Sequence, residues 1–288
     1  FPDKEGLGGT SLNVAVQAHQ LLSPMDGRGV LLSRIGSDAL GERLQTEFRA
    51  RDLPLEYIQI DESHPTGQVL VRFEGDAPRF EIVVDTAWDL LQFADYEREL
   101  ARACNAVSFG SMSQRHPTAR AATQAFLAEA TDALKIFDVN LRMDLFTADI
   151  LDEGCRVANL MKLNDEELPT VAELLEIDEG DAQSRTEAIR KKHDLDAVIF
   201  TRGEQGTAAA TREGWLEGAP ASFPAAPNSD TVGAGDACTA ALLAARLLGR
   251  DWQVALNLAN RHAAYVASRP SATPALPPEV WAEYGLAS

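Results

Sequence analysis

The sequence predicts an α/β fold with a central, mainly parallel β-sheet and a small β-sheet lid. Its 288 residues are enough for one large domain with a small appendage. From residue 97 onward, short apolar runs alternate with helical patterns, and this alternation indicates parallel strands covered by helices on both faces. Residues 57–84 instead contain three short alternating segments with no helix between them, which favours a small antiparallel sheet.

The elements can be assigned in chain order. Apolar residues near helical spacing predict a helix over residues 11–22. A buried strand is predicted at residues 30–35, followed by a helix through residue 48. The lid segments are residues 57–60, 67–73 and 79–84, and the later strands are residues 106–109, 135–139, 157–163 and 197–201. The main domain then comprises residues 1–56 and 85–288, and the lid residues 57–84, with residues 1–7 as a candidate addition.

Composition and charge exclude several classes of partner. A net charge of −18 is unsuited to nucleic acid, because binding phosphate backbones requires clustered Lys and Arg. The sequence contains no apolar run long enough to span a membrane, and its first residues do not form a signal peptide. The three cysteines lack metal-ligand spacing, which argues against zinc and is typical of a reduced cytoplasm. We therefore expect a cytoplasmic protein that acts on small molecules.

The most informative motif is the seven-residue segment Asp230-Thr231-Val232-Gly233-Ala234-Gly235-Asp236, which runs into an apolar helix. A helix N-terminus offers unpaired N–H groups and a partial positive charge, so it can hold a phosphate. Gly233 and Gly235 allow the backbone to approach such an anion closely. Asp236 would lie where an acceptor hydroxyl must lose its proton. The alternative is that Asp230 or Asp236 only caps the helix.

Glycine and polar residues follow the predicted strands at Gly110, Asn140, Asn164 and Thr201. Ligands of parallel sheets bind at these carboxyl ends. Asn164 and Glu167, three residues apart, could hold a hydrated Mg²⁺, since this ion keeps most of its waters. A capping box with Asn164 as the cap is an alternative that does not exclude the first.

Three further segments carry candidate binding groups. Near the start, Gly8 and Gly9 form a turn before Asn13, whose amide suits sugar hydroxyls, although an ordinary glycine loop would look the same. Asp138, Asn140 and Arg142 alternate along one face, and Arg142 suits a phosphate or carboxylate unless it forms a surface salt bridge. Residues 201–206 form either a flexible loop against a nucleotide or a plain β-turn, and Asn260 lies on an alanine-rich helix with room for a flat base.

In this order and spacing, the motifs resemble the ribokinase-like (PfkB) family of carbohydrate kinases. The resemblance covers nearly the whole chain, and residues 230–236 carry its most specific part. It implies a three-layer α/β/α fold with a β-sheet lid, and ATP and Mg²⁺ as cofactors. Asp236 would be the general base, and the N–H groups of Gly233, Ala234 and Gly235 would stabilise the charge on the transferred phosphoryl group.

The resemblance also assigns binding roles. Sugar contacts fall on Gly8, Gly9, Asn13, Gln114, Asn140 and Arg142, and nucleotide contacts on Asn164, Thr201, Gly203, Gly206 and Asn260. Glu167 would act on Mg²⁺ through water. Asp230 and the carbonyl of Val232 match part of a site for a monovalent cation such as K⁺, which residues 266–272 would complete. A homodimer formed through the lid is a further expectation, because exposed sheet edges favour pairing.

A closer similarity to fructokinases rests on residues 110–115, 65–67 and 87–89. The leading hypothesis is therefore an ATP-dependent kinase acting on a primary hydroxyl, with fructose as substrate. Alternatives are a 2-keto-3-deoxygluconate kinase, in which Arg142 or Arg115 would bind the carboxylate, and another sugar kinase of the family. A protein that binds sugar or nucleotide without catalysis is a hypothesis of a different class. A dinucleotide-dependent dehydrogenase lacks the expected Gly-x-Gly-x-x-Gly.

The beginning of the chain departs from the family pattern. Relatives begin with a strand that ends in a sugar-binding Asp, whereas this sequence starts with Phe1-Pro2-Asp3, just after that strand. Loss of a central strand would expose sheet edges, so we expect that the leading residues are missing from the sequence rather than from the protein. Asp3 is not assigned the role of the absent Asp.

Overall fold

The computed structural model describes residues 6–74, 77–143, 145–178 and 180–285. Most of residues 1–7, and Asp3 with them, therefore lie outside the described part. The helices are α1 (Thr10–Leu22), α2 (Ala39–Ala50), α3 (Asp95–Ala103), α4 (Pro117–Glu129), α5 (Ala148–Val157), α6 (Leu168–Leu174), α7 (Ala182–Lys192), α8 (Ala234–Leu247), α9 (Trp252–Ala267) and α10 (Pro278–Glu283). The strands are β1 (Ser33–Gly36), β2 (Ile58–Asp61), β3 (Val69–Glu74), β4 (Ala77–Ile82), β5 (Ala106–Gly110), β6 (Leu134–Asp138), β7 (Leu160–Asn164), β8 (Ala197–Thr201), β9 (Thr207–Thr211) and β10 (Gly214–Glu217).

The central sheet has six strands in the order β10-β9-β8-β7-β6-β5. Strands β5 to β8 are parallel, whereas β9 and β10 continue the sheet as antiparallel neighbours. The parallel register pairs Gly110 with Asp138 and Asn164 with Thr201. The carboxyl ends of these strands therefore meet at one edge of the sheet, and the predicted fold class is confirmed.

Helices cover both faces of the sheet because successive strand residues point to opposite sides. Ile136 and Leu160 pack with α1, α8 and α9 on one face. Their neighbours Phe137 and Met161 pack with α4, α5, α6 and α7 on the other. Near-continuous apolar strands are typical of a parallel sheet that is buried on both sides. Among the described residues, no helix has both the length and the apolar character needed to cross a bilayer.

The first predicted lid segment belongs to a different sheet. Strand β2 pairs in parallel with β1, with Ser33 opposite Ile58, and α2 makes the crossover between them. Strands β3 and β4 form a separate antiparallel hairpin. The prediction of one antiparallel sheet from three consecutive segments was therefore wrong for residues 57–60. An alternating pattern indicates a strand but does not specify its partner. The lid as residues 57–84 stays a prediction.

Another correction concerns residues 157–163, which the apolar pattern predicts as one strand. In the structure Val157 ends α5, and β7 begins only at Leu160. Ala158 and Asn159 separate the two elements, and the Asn159 side-chain oxygen accepts the backbone N–H of Lys135 in β6 at 2.9 Å. Apolar content alone cannot separate the last turn of a buried helix from the start of a buried strand.

Candidate active site

Two helix N-termini meet at the carboxyl edge of the sheet and bring Asn13 and Asp236 together. Asn13 lies on the first turn of α1 and Asp236 on the first turn of α8. The Asn13 amide nitrogen donates a hydrogen bond of 2.7 Å to Asp236 Oδ2, although the residues are 223 positions apart. The predicted sugar-binding and catalytic motifs therefore share one hydrogen bond.

Asp236 has an unusual pKa. Burial raises it to about 6, and the nearby carboxylate of Asp138 acts in the same direction. The Asn13 hydrogen bond and the positive charges of Lys162 and Arg142 act to lower it and only partly offset the rise. A carboxylate with this pKa is ionised at neutral pH and still accepts a proton readily, which suits a general base.

The other end of the Asn13 amide is free to bind a ligand. Asn13 is 3% exposed, and its Oδ1 atom has no hydrogen-bond partner among the described residues. Because the nitrogen is bound to Asp236, the amide orientation is fixed and Oδ1 can only accept. A buried acceptor without a donor costs free energy, so this atom suits a donated hydrogen bond from a substrate hydroxyl.

The start of α8 exposes backbone N–H groups beside Asp236. Gly233 precedes the helix with a φ of 83°, a left-handed conformation that favours glycine. The N–H groups of Ala234 and Ala237 donate to Thr231 and Gly233, whereas those of Gly235 and Asp236 have no acceptor among the described residues. An anion at this helix start would meet two free donors and the positive end of the helix dipole.

A buried lysine lies beneath this helix start and was missed in the sequence. Lys162 Nζ bonds Asp138 Oδ2 at 2.7 Å, and the Thr239 hydroxyl donates to the same oxygen at 2.9 Å. Burial alone would lower the pKa of Lys162, but the Asp138 carboxylate outweighs it and raises the pKa. A Cβ atom on Gly235 would lie 3.7 Å from Nζ. The one sequence signal was a lysine inside an otherwise apolar strand.

Asn164 and Glu167 hold each other in the turn before α6. The N–H of Glu167 donates to Asn164 Oδ1 at 2.8 Å, and the N–H of Asn164 donates to Glu167 Oε2 at 2.9 Å. The two bonds have the reciprocal pattern of the predicted capping box, but α6 begins only at Leu168 with Glu167 as its N-cap, so they close the turn before the helix and Asn164 does not cap it. The N–H of Leu141 also donates to Glu167 Oε1, and burial raises the pKa of Glu167.

These contacts decide how a metal would fit. Each carboxylate oxygen of Glu167 already accepts one N–H, and no group of three or more His, Cys, Asp or Glu suited to a metal occurs in the described residues. Direct ligation by several side chains is therefore a poor fit. A hydrated Mg²⁺ that binds mainly to phosphate oxygens and reaches Glu167 through water does fit.

The loop after β6 connects to the start of α1. Asn140 donates from its side chain to the Thr10 hydroxyl at 2.6 Å, and it has a φ of 40°, which non-glycine residues seldom adopt. Arg142 is exposed and close enough to lower the pKa of Asp236. Gly8 and Gly9 precede α1, and a Cβ atom on either would meet nothing within 4 Å. The glycine turn therefore borders open space.

Gln114 and Arg115 turn inward. The Gln114 amide donates to the carbonyl of Gly110 at 3.0 Å and is 3% exposed. Arg115 makes two hydrogen bonds to Asp89, one to the carbonyl of Val83, and stacks on Trp88 at 4.8 Å. Its guanidinium is thus committed within the protein, which argues against Arg115 as a ligand for a substrate carboxylate.

The predicted nucleotide residues form two groups. Thr201 lies opposite Asn164 in the sheet register, so the ends of β7 and β8 bring these two together. Asn260 is buried, and its amide donates to the carbonyl of Ala219 at 3.0 Å. A Cβ atom on Gly206 would lie 2.9 Å from the Asn260 amide nitrogen, so the loop that begins at Gly203 closes on α9.

The predicted cation residues lie just before the same helix start. Asp230 Oδ1 accepts the N–H of Val232 at 2.9 Å, and Val232 is exposed. A Cβ atom on Gly233 would meet three atoms of Ala272 at 2.7 Å. The end of the 266–272 segment therefore packs directly on this motif.

Comparisons with known proteins give a family match over most of the chain. The family model "pfkB family carbohydrate kinase" matches residues 3–279. A fructokinase of Klebsiella pneumoniae is 29% identical over 262 residues, covering 85% of this chain and 80% of that protein. A 2-dehydro-3-deoxygalactonokinase of Haloferax volcanii is 27% identical over 259 residues, covering 86% and 77%.

A solved structure extends the similarity to three dimensions. An uncharacterized sugar kinase of Pyrococcus horikoshii, crystallised in complex with ATP, matches with a TM-score of 0.74 and 25% identity. The match covers 94% of this chain and 90% of the other. That protein shares the overall fold and binds ATP.

Proposed function

This chain belongs to the pfkB family of carbohydrate kinases, and on that premise we propose that it transfers the γ-phosphate of ATP to a primary hydroxyl of a sugar, with fructose as the leading substrate. The observation that carries the proposal is the Asn13–Asp236 hydrogen bond, with the unpartnered Asn13 Oδ1 beside it. A hydroxyl that donates to Oδ1 would lie next to the base. The similarity to fructokinases supports the choice of sugar.

The chemistry follows from these groups. Asp236 takes the proton of the sugar hydroxyl as the oxygen forms a bond to the γ-phosphorus, and the bond to the bridging oxygen of ADP breaks. The N–H groups at the start of α8 would stabilise the negative charge of the transferred group. Lys162 adds a fixed positive charge below this helix start, balanced by Asp138. The products are a sugar phosphate and ADP.

Glu167, held by two backbone N–H groups, would contact Mg²⁺ through water, and the ion would neutralise phosphate charge. Asp230 and Val232 are the proposed contacts for a monovalent cation such as K⁺. Asn164, Thr201, Gly203, Gly206 and Asn260 are proposed to bind the nucleotide. The proposed sugar contacts are Gly8, Gly9, Asn13, Gln114, Asn140 and Arg142.

We also propose a homodimer formed through the lid, which the exposed apolar side chains of Ile60, Val69 and Val84 support. Cytoplasmic location stays a prediction from the sequence.

A second candidate substrate is a sugar acid such as 2-keto-3-deoxygluconate. Arg142 is exposed and close to Asp236, and its side chain makes no ion pair or hydrogen bond within the described residues, so it could bind a carboxylate. The Haloferax relative, whose name denotes a kinase for such a substrate, supports this alternative.

The test is a substrate screen with ADP formation as the readout. Fructose and 2-keto-3-deoxygluconate are compared with ATP and Mg²⁺, with and without K⁺. We expect Asp236→Asn to lower kcat by about 10²-fold or more, since general-base catalysis contributes about 10²–10⁴-fold, while nucleotide binding persists. Asp251→Asn, which keeps the side-chain cap of α9, is the matched control and should retain activity.

Each outcome has a definite meaning. Turnover by Asp236→Asn close to that of the unmodified protein would reject the base assignment. Turnover of the acid alone would replace fructose with the second candidate. No ADP formation with any sugar would favour a protein that binds sugar or nucleotide without catalysis.

A further inference from the structure

Helix α1 carries three amide side chains on one face. Asn13, Gln17 and Gln20 are spaced by four and three residues, so they lie along the same side of the helix. Asn13 bonds the proposed base Asp236. The other two amides bond the loop that follows α9, and Gln17 is nearer to the active site.

Gln17 is a fully buried amide with both ends bonded. Its nitrogen donates to the carbonyl of Ala272 at 3.1 Å, and its oxygen lies 2.9 Å from His262 Nε2. Since the Gln17 oxygen can only accept, His262 Nε2 carries the proton, and His262 Nδ1 accepts the hydroxyl of Tyr284 at 3.2 Å. Burial lowers the pKa of His262 to about 3, so the ring is neutral and this arrangement persists at neutral pH.

Ala272 is the residue that packs on the anion-binding turn. A Cβ atom on Gly233 would lie 2.7 Å from the Cα, Cβ and carbonyl oxygen of Ala272, so the two backbones are in direct contact. Gly233 lies two residues before Gly235, where the free N–H groups of α8 begin. Any movement of Ala272 away from this contact would leave the turn without its support.

We infer that Gln17 is a positioning residue, which holds Ala272 against Gly233 and so fixes the N–H groups that receive the transferred phosphoryl group. Buried amides are costly unless every polar atom is bonded, and a fully bonded one makes a rigid link. Through Asn13 and Gln17, one face of α1 fixes the positions of both the base Asp236 and the anion-binding turn at Gly233. This inference rests on the proposed function.

The test compares two variants of the same helix face. Gln17→Met keeps the side-chain volume but loses the bonds to Ala272 and His262. Gln20→Met is the matched control, because Gln20 bonds the carbonyl of Pro274 and the N–H of Leu276, farther along the same loop. The Gln20 amide nitrogen also lies 3.5 Å from the Gln17 oxygen, but the same oxygen has a shorter hydrogen bond of 2.9 Å from His262.

We expect Gln17→Met to lower kcat about tenfold with the sugar and ATP KM within about twofold, since a small misplacement of catalytic groups costs up to about 10²-fold. Gln20→Met should keep kcat within about twofold at a similar loss of thermal stability. An unchanged kcat in Gln17→Met, or equal losses of kcat in both variants, would overturn the inference. Failure of the unmodified protein to form ADP with any sugar would instead reject the proposed function.

Ala272→Gly tests the same contact from its other side, and its kcat, which we expect to fall, does not depend on how well Gln17→Met folds. Ala272→Gly removes the Cβ contact with Gly233 and leaves the carbonyl that Gln17 bonds. If both residues act through one contact, the loss of kcat in the double variant should be little greater than the larger of the two single losses. Fully additive losses would show that Gln17 acts elsewhere and would also overturn the inference.

Discussion

At the scale of single residues, the raised pKa that suits Asp236 to act as a base also lowers the stability of the folded protein at neutral pH. Its pKa of about 6 in the folded chain is above the ordinary value of 3.8, so the folded state binds this proton more tightly than the unfolded state does. The contribution of Asp236 to the free energy of unfolding is therefore most favourable at low pH. It declines as pH rises from the unfolded pKa through about 6 and stays low above that.

Asp236→Asn should consequently stabilise the protein at alkaline pH. Asparagine still accepts the Asn13 hydrogen bond and carries no buried charge. At about pH 8 we expect a rise in Tm of about 2 °C or more, since each kcal/mol shifts Tm by about 2–4 °C in a domain of this size class. At about pH 5, near the middle of the range between the unfolded pKa of 3.8 and the folded pKa of about 6, the gain should be about half as large. Equal gains at both pH values in thermal melts would contradict this account.

The sequence was informative for residues that act through their own motif. Asp236 and Asn13 could be predicted because each lies at a helix start with neighbouring glycines. Lys162 could not, because its partner Asp138 is on another strand and only the fold brings them within 2.7 Å. Arg115 was a candidate carboxylate ligand, and only the structure shows that Asp89 already occupies its guanidinium.

At the scale of elements, one buried group of side chains joins β6, β7 and α8. Asp138 ends β6, Lys162 lies in β7 and Thr239 is on the second turn of α8. All three meet at Asp138 Oδ2. The helix that carries Asp236 is therefore tied to two adjacent strands directly below its N-terminus.

Removing only Lys162 from this ion pair should lower the free energy of unfolding more than removing both charges. Lys162→Met leaves Asp138 buried without a countercharge, and we expect the free energy of unfolding to fall by about 3–5 kcal/mol. Adding Asp138→Asn removes the unpaired charge and should restore most of that loss. Urea unfolding of the single and double variants measures both steps. A double variant no more stable than Lys162→Met would refute the explanation.

Elements could be predicted where their own pattern defines them. Strand β8 ends at Thr201, as the sequence indicated, and β5 ends at Gly110, one residue beyond the predicted end, because each apolar run stops at a glycine or polar residue. Strand β2 was placed in the wrong sheet, since pairing with β1 depends on the α2 crossover. Strand β9 was not predicted, because Ala208, Ala209 and Ala210 have low β-propensity and lie in a strand only through burial in the sheet.

At the scale of the whole molecule, the α/β class could be predicted because strand and helix patterns alternate over most of the chain. The two apolar clusters then follow from strand periodicity, with α1, α8 and α9 on one face. The antiparallel edge of β9 and β10 could not be predicted in the same way. Its position depends on the whole sheet rather than on a local pattern.

The net charge of −18 gives the folded molecule a repulsive self-energy. Added salt screens this repulsion, because the Debye length falls from about 30 Å at 0.01 M to about 8 Å at 0.15 M. We therefore expect Tm to rise over this range, by the same amount in sodium chloride and in choline chloride. A fall in Tm would show that screened ion pairs outweigh the net repulsion. A rise confined to one cation would indicate specific binding.

The contact between Gly233 and Ala272 limits how portable the phosphate-binding motif is. Residues 230–236 form one continuous motif in the sequence. In the structure, however, the space beside Gly233 is filled by Ala272, which lies 39 positions later, between α9 and α10. A larger side chain at either position would have no room unless the other position also changed, so we expect the two residues to vary together among related sequences. Transplanting the motif onto another scaffold would require the Ala272 segment and the helix face that anchors it.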